Sequence, residues 1–242
     1  MKRTKIAFLY SEVAGYFMAC AETLAKHADV LIVRWPTNSE APFEFNQSQA
    51  LTIIDKSKFS LPELTKEVLD FNPEILVCSG WMDKDYLKIM KGVQKQVVRV
   101  LSLDNHWTGS LKQRLAGMIS PLYLKPLFTH AWVPGSKQEK FAEKLGFKGK
   151  ILKGFYCADS ELFNTKYKTT FEAKKNKFPK RFLYVARYVE HKGIFEMWEA
   201  FKQLKAEGDM DWELWCLGTG DEWENRVEAE GIKHYGFVQP SE

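Results

Sequence analysis

No apolar run in this chain approaches the roughly 18 to 20 residues that a membrane-spanning helix requires, so a helical span is excluded. The N-terminus has basic residues and then only Ile6 to Tyr10 before Ser11-Glu12, too short an apolar stretch for a signal peptide, and a cytoplasmic location is the expected default. Cysteine is sparse: Cys20, Cys78, Cys157 and Cys216 form no C-x-x-C pair, and three lie in apolar, strand-like runs, which predicts reduced, buried thiols. His27, His106, His130, His191 and His234 lack ligand spacing, and no clustered Cys or Asp-x-Asp accompanies them, so no metal is expected. A G-x-S-x-G nucleophile elbow is absent. So is a G-x-G-x-x-G after the first apolar run, which disfavours a dinucleotide dehydrogenase. The formal charge of +4 lacks the basic excess of a dedicated nucleic-acid binder, and no nucleic-acid partner is expected.

What the chain does have is alternation. KIAFLY, the helical stretch Val13 to His27, DVLIVRW, LTIID, the helix Leu61 to Phe71, EILVCSG, the helix Lys84 to Lys95 and VVRVLSLD follow one another in the order of a parallel α/β sheet. A helical stretch Leu111 to Phe128, interrupted by Pro121 and Pro126, leads into HAWVPG, the helix Ser136 to Leu145 and KILKGFY. Residues 1–164 are thus expected to form a complete doubly wound, Rossmann-like domain. The polar, Lys-rich stretch NTKYKTTFEAKKNKFPK predicts a linker over 165–180. From 181 to 242 the order is strand from Arg181, helix Ile194 to Glu207, strand Trp212 to Gly218, helix Asp221 to Glu230 and strand Lys233 to Val238. Three strands read as the first half of a second Rossmann-like domain, and the end at Gln239-Pro240-Ser241-Glu242 as a truncation.

The segment FLYVARYVEHKG carries the strongest chemical signal. An apolar strand runs into Arg187, and five positions later Lys192-Gly193 opens an amphipathic helix. Strand, turn and helix in that order place backbone N–H groups and the positive end of a helix where an anion can dock. Arg187 could add a bidentate contact and Lys192 a point charge, a combination suited to a diphosphate.

FLYVARYVEHKGIFEMWEAF, the later LWCLGTGDEWENRV and the closing GIKHYGFVQP resemble the opening of the nucleotide-sugar-binding domain of retaining GT-B glycosyltransferases, the glycosyl transferases group 1 family. Upstream, GFYCADSELF occupies the place of that family's Asn-Gly-Val-Asp-x-x-x-Phe segment, so the resemblance covers roughly Ile151 to Glu242. It implies a GT-B fold with the donor between two Rossmann-like domains, and no metal or other cofactor. The implied reaction moves a sugar from a nucleotide-diphosphate-sugar donor to a hydroxyl of a saccharide or other acceptor, with retention. Arg187 and Lys192 match the family's Arg and Lys that clamp the donor diphosphate and stabilise it as leaving group. The carboxylates with which the family holds the donor sugar and ribose come from a later region that has no counterpart here.

Other positions have two readings each. Gly218 and Gly220 serve a tight turn with Asp221 capping a helix, or contact the donor. Gly236, Phe237 and Val238 resemble the segment that meets the nucleotide base, or pack as an edge strand. His106 follows a strand end and is either a solvated loop residue or a group near the transferred sugar, Asp104 or His106 orienting the acceptor hydroxyl, while Trp107 packs or stacks on a sugar. Gly15 sits where nucleotide-binding folds keep a Gly-rich loop, although Ala14-Gly15 replaces the family's paired glycines. Lys84, Lys88, Lys91 and Lys95 share a helix face that is either solvated or turned to an anionic membrane surface, with Leu111 to Phe128 adding to the second reading and so to a peripheral membrane location. The alternatives to transfer are a GT-B-type nucleotide-sugar epimerase and a non-catalytic fragment that binds nucleotide or an anionic surface.

Overall fold

Strands β1 (Thr4–Tyr10), β2 (Ala28–Arg34), β3 (Leu51–Asp55), β4 (Ile75–Ser79), β5 (Val98–Ser102), β6 (His130–Val133) and β7 (Ile151–Lys153) form one parallel sheet in the order β3-β2-β1-β4-β5-β6-β7. The computed structural model describes residues 2–40, 42–43, 48–155, 157–208 and 210–239, so the chain end at 240–242, read as a truncation, lies outside the described residues. The chain divides into two units, Met1–Pro36 with Phe45–Asp159, and Thr37–Glu44 with Ser160–Glu242.

In the first unit, helices α1 (Gly15–Ala25), α2 (Leu61–Phe71), α3 (Lys84–Gly92), α4 (Leu111–Tyr123) and α5 (Ser136–Lys144) follow β1, β3, β4, β5 and β6. The continuous apolar run of β1 is explained by burial on both faces. Ala7 and Leu9 join α2, α3 and α5 in one core, while Phe8 and Tyr10 join Phe17 and Met18 of α1 in the other. Local signals set the helix ends. Ser60 and Glu63 form a reciprocal capping box at the start of α2, which ends at Asn72 in the left-handed region.

Asp83 caps α3 and gathers four donors: the Asp85 and Tyr86 amides, Trp35 Nε1 at 2.7 Å and Lys56 Nζ at 2.7 Å. Burial pushes its carboxyl up, but the bonds from Lys56, Trp35 and Tyr86 more than offset this and hold it below the usual carboxylate range. A depressed folded-state value means that this stabilisation is present above the unfolded-state value and is lost as pH falls through the folded one. Asp83→Ala is expected to cost about 2 kcal/mol in chemical denaturation at neutral pH, the sum of a lost cap and a lost charged bond. A wild-type midpoint in that variant would remove the role assigned to Asp83.

In the second unit, α6 (Ser160–Asn176) leads to β8 (Arg181–Val185), α7 (Ile194–Glu207), β9 (Glu213–Leu217) and β10 (Ile232–Gly236), a parallel sheet in the order β10-β9-β8. Its core gathers Tyr188, Ile194, Trp198, Phe201, Leu214, Cys216 and Ile232. Tyr188 is fully buried, and its hydroxyl donates to His234 Nδ1 at 2.8 Å, while His234 Nε2 donates to the Val227 carbonyl at 2.9 Å. A carbonyl only accepts, which fixes that tautomer.

The α/β class read from the sequence is the one observed. Three local expectations are corrected. The stretch read as an irregular linker is helical over Ser160–Asn176; none of its side chains is buried, so Lys, Glu and Ala propensity without a Gly or Pro sustains it, and the pattern ends before Pro179. The helix expected over Asp221 to Glu230 is replaced by turns. There the Glu222 amide donates to the Tyr188 carbonyl at 2.9 Å, and the Trp223 ring packs 5.2 Å from Tyr188, so partners distant in sequence take up groups that a helix would use. Cys78 and Cys216 are buried thiols as expected, but Cys157 is exposed, and its amide donates to Cys20 Sγ at 3.4 Å. Among the described residues, no helix is long and apolar enough to cross a membrane.

Candidate functional site

In the first sheet β1 connects outward to β2 on one side, while β4 begins the series that runs to β7 on the other, so strand order reverses at the β1/β4 boundary. Ligands of open α/β sheets bind outside the carboxyl ends of strands at such a point. A cavity of about 380 Å³ lies there. Its floor is Tyr10, Ser79 and Ser102 at the ends of β1, β4 and β5, and its walls include Glu12, Tyr16, Trp81, Asp104 and Phe155. The Tyr10 hydroxyl meets Ser102 Oγ at 3.3 Å, and the Ser11 amide donates to Ser79 Oγ at 3.0 Å. Burial pushes the Tyr10 hydroxyl up to about 12, against a smaller opposing effect of the Ser102 bond, so at neutral pH it is a neutral donor and acceptor. Hydroxyls on the floor, two carboxylates and three aromatic faces at the wall match a polyhydroxylated ligand better than an apolar one.

Of the residues singled out in this unit, Asp104 lines the cavity. His106, two positions on, is exposed and outside the lining, and its carbonyl accepts from Gln113 Nε2 at 2.7 Å. Trp107 packs on Phe141 at 5.8 Å between ring centres, which is its packing reading. Gly15 begins α1 without lining the cavity, whereas the next residue, Tyr16, does line it. Sequence reasoning missed Tyr10, Ser79 and Ser102. Their one signal is that each ends an apolar strand of a parallel sheet.

In the second unit the carboxyl ends of β8, β9 and β10 are stitched together by backbone bonds. The Ala186 amide donates to Leu217 O at 3.2 Å, the Tyr188 amide to Thr219 O at 2.9 Å and the Gly218 amide to Gly236 O at 2.7 Å. This framework carries Arg187, whose side chain is 45% exposed, and a single 3₁₀ turn, Glu190–Lys192, that carries the exposed Lys192. Gly193 follows in the left-handed region, φ 69°, and turns the chain into α7, whose first turn contains Glu196. Gly218 and Gly220 have φ of 132° and 156°. A Cβ on Gly218 would lie 2.1 Å from the Ala186 carbonyl oxygen, and one on Gly220 2.6 Å from that of Tyr188. Both glycines therefore let one loop rest on the backbone beside Arg187. Phe237 and Val238 are half-buried, and the Phe237 ring stands edge-on to Phe43 at 5.1 Å.

Glu40 is a participant for which the sequence held no signal. Its carboxylate lies 3.5 Å from Arg187 Nη1, and its carbonyl accepts from Thr219 Oγ1 at 2.7 Å. An acidic group thus already sits against the cation expected to meet an anion. Among the described residues no group of three His, Cys, Asp or Glu side chains stands close enough to hold a metal ion.

Neither a protein-family model nor a curated protein matches the sequence. Solved structures are similar to it in fold. An alpha-glucosyltransferase in complex with UDP-glucose and DNA containing an abasic site superposes with a TM-score of 0.58 at 13% identity, over 90% of this chain and 58% of that one. A UDP-GlcNAc 2-epimerase from Neisseria meningitidis bound to UDP-GlcNAc gives 0.61 at 14% identity, over 98% and 74%. A glycosyltransferase from Rickettsia africae ESF-5 gives 0.61 at 12% identity, over 98% and 69%. The chain therefore spans only 58% of the length of that alpha-glucosyltransferase. The DNA is that protein's ligand. At such identities the likeness establishes the fold, which is α/β with Rossmann-like parallel sheets of GT-B type.

Proposed function

We propose that this chain acts in glycosyl transfer from a nucleotide-diphosphate-sugar donor to an acceptor hydroxyl, with retention at the anomeric carbon. The observation that carries the reading is the placement of Arg187 and Lys192, both exposed, on the connection between the carboxyl end of β8 and the start of α7. In this reaction the bond from the anomeric carbon to the phosphate oxygen breaks as the acceptor oxygen bonds to that carbon from the same face, charge grows on the departing diphosphate, and the hydroxyl proton passes to the phosphate oxygen that leaves. Two fixed cations stabilise that charge more than they stabilise the bound donor, which is the condition for lowering the barrier. The acceptor is assigned to the cavity of the first sheet, where Asp104 orients its hydroxyl and Tyr16 or Trp81 offers a face for a sugar ring. No metal or other cofactor is assigned.

Calorimetric titration of uridine, guanosine and adenosine diphosphates, followed by transfer assays with the matching sugars, tests the reading. Absence of binding by all of them would overturn it. A second reading, epimerisation of the nucleotide sugar, is kept because the likeness to the epimerase matches that to the glycosyltransferase, each with a TM-score of 0.61. Release of an isomerised sugar or nucleotide sugar without any acceptor would select it.

Glu40 gives a further prediction. A donor diphosphate must displace its carboxylate from Arg187, so Glu40→Gln is expected to tighten nucleoside-diphosphate binding by up to about fivefold, the scale of a partly exposed ion pair. Weaker binding would show that Glu40 helps to form the site.

A further inference from the structure

Helix α4 is built inside out. Its one buried residue is Ser120, whose hydroxyl donates to the Leu145 carbonyl at 2.7 Å. Beside it Gly117 lets the helix backbone approach α5 so closely that a Cβ there would lie 3.2 Å from the Lys144 carbonyl oxygen. These contacts fix which way the helix faces, and they leave its large apolar side chains outside. Leu111, Met118 and Leu122 are 85%, 77% and 86% exposed, and Leu115 and Ile119 are exposed with them. At about 100° per residue these five fall within an arc of about 100°, with Lys112 on one edge and Arg114 on the other. No acidic residue occurs from Asn105 to Gln138, a stretch that also holds Lys125 and Lys137.

We propose that this face of α4 docks on an anionic lipid bilayer. An apolar arc bordered by cations on both sides is the pattern of a helix lying in the headgroup region, where the apolar side chains leave water and the cations meet lipid phosphates. A second copy is the poorer occupant, because a two-fold contact sets like charges against one another, and the patch has no carboxylate to neutralise them. The start of α4 is tied to the loop that leaves the cavity: Gln113 Oε1 accepts from the Thr108 amide at 2.7 Å and the Gly109 amide at 3.1 Å, and Arg114 Nε donates to the Gly109 carbonyl at 2.9 Å. Docking therefore holds the cavity wall at Asp104 and Asn105 near the headgroups, and, on the transfer reading above, the acceptor hydroxyl belongs to a membrane lipid or a lipid-linked glycan.

Co-sedimentation with vesicles of equal parts phosphatidylcholine and phosphatidylglycerol, without nucleotide, tests the docking independently of the donor reading. The intact chain is expected to bind these vesicles at least about tenfold more tightly than pure phosphatidylcholine, and the double variant Leu115→Glu, Leu122→Glu to lose at least about tenfold in binding. Both side chains are exposed, so circular dichroism should be unchanged. Equal binding to both vesicle types, equal binding by the variant, or a concentration-dependent dimer that this variant dissolves would each overturn the proposal.

Discussion

Arg187→Ala and Lys192→Ala are each expected to lower kcat/KM for sugar transfer at least about 100-fold, since loss of one preorganised charge partner costs about 2.7–4 kcal/mol in the transition state. The fold should not respond. Lys192 is exposed, and the Arg187 side chain, 45% exposed, contributes an ion pair to Glu40 of the kind that adds at most about 1 kcal/mol. The two effects separate in the kinetics. A cation that only anchors the donor raises KM and leaves kcat, whereas one that stabilises the departing diphosphate lowers kcat as well. Charge-preserving exchange sharpens the test further, because Arg187→Lys keeps the charge and loses the planar fork, so partial recovery would report a bidentate contact. Unchanged kcat/KM in both alanine variants would sink the assignment.

The strand ends explain how much of this was legible. LTIID matched β3 residue for residue, although β3 is an edge strand with only Leu51 buried, and the helices Leu61–Phe71 and Ile194–Glu207 had the expected bounds, because the Ser60–Glu63 capping box and the left-handed Gly193 are local signals. The segment Asp221 to Glu230 had helical composition but failed, since Trp223 and the Glu222 amide found partners at Tyr188, far away in sequence. The same distinction runs through the sites. Arg187 and Lys192 could be singled out as candidates because strand, turn and helix are contiguous. Glu40 could not, because the contact with Arg187 joins residues with no shared motif. The orientation of α4 was legible only in part. The stretch Leu111 to Phe128 adds weight to a membrane-surface reading, but which face points outward is set by the Ser120 bond to Leu145, a contact between residues distant in sequence.

Gly218→Ala should have the largest effect on stability. At φ 132° an alanine is strained, and its Cβ would stand 2.1 Å from the Ala186 carbonyl oxygen and 3.0 Å from the Ala186 carbonyl carbon, both backbone atoms that cannot rotate aside. The loop after β9 must lift away, which strains the bonds from the Gly218 amide to Gly236 and from the Tyr188 amide to Thr219. A loss of about 3 kcal/mol or more is expected, as for other positions where a special backbone conformation and a close approach coincide. Gly149→Ala is the control, with φ 75° but nothing within 4 Å of the added carbon, so backbone strain alone applies, at about 1–2 kcal/mol. Hydrogen exchange should show protection falling in Arg181–Val185 and Glu213–Leu217 of the Gly218 variant, while β1, β4 and β5 keep theirs, since the two sheets have separate cores. Nucleoside-diphosphate binding should weaken in parallel, because Arg187 stands on the backbone that this loop supports. If binding fell while protection and stability stayed at wild-type levels, Gly218 would instead contact the ligand directly, and its packing role would be refuted.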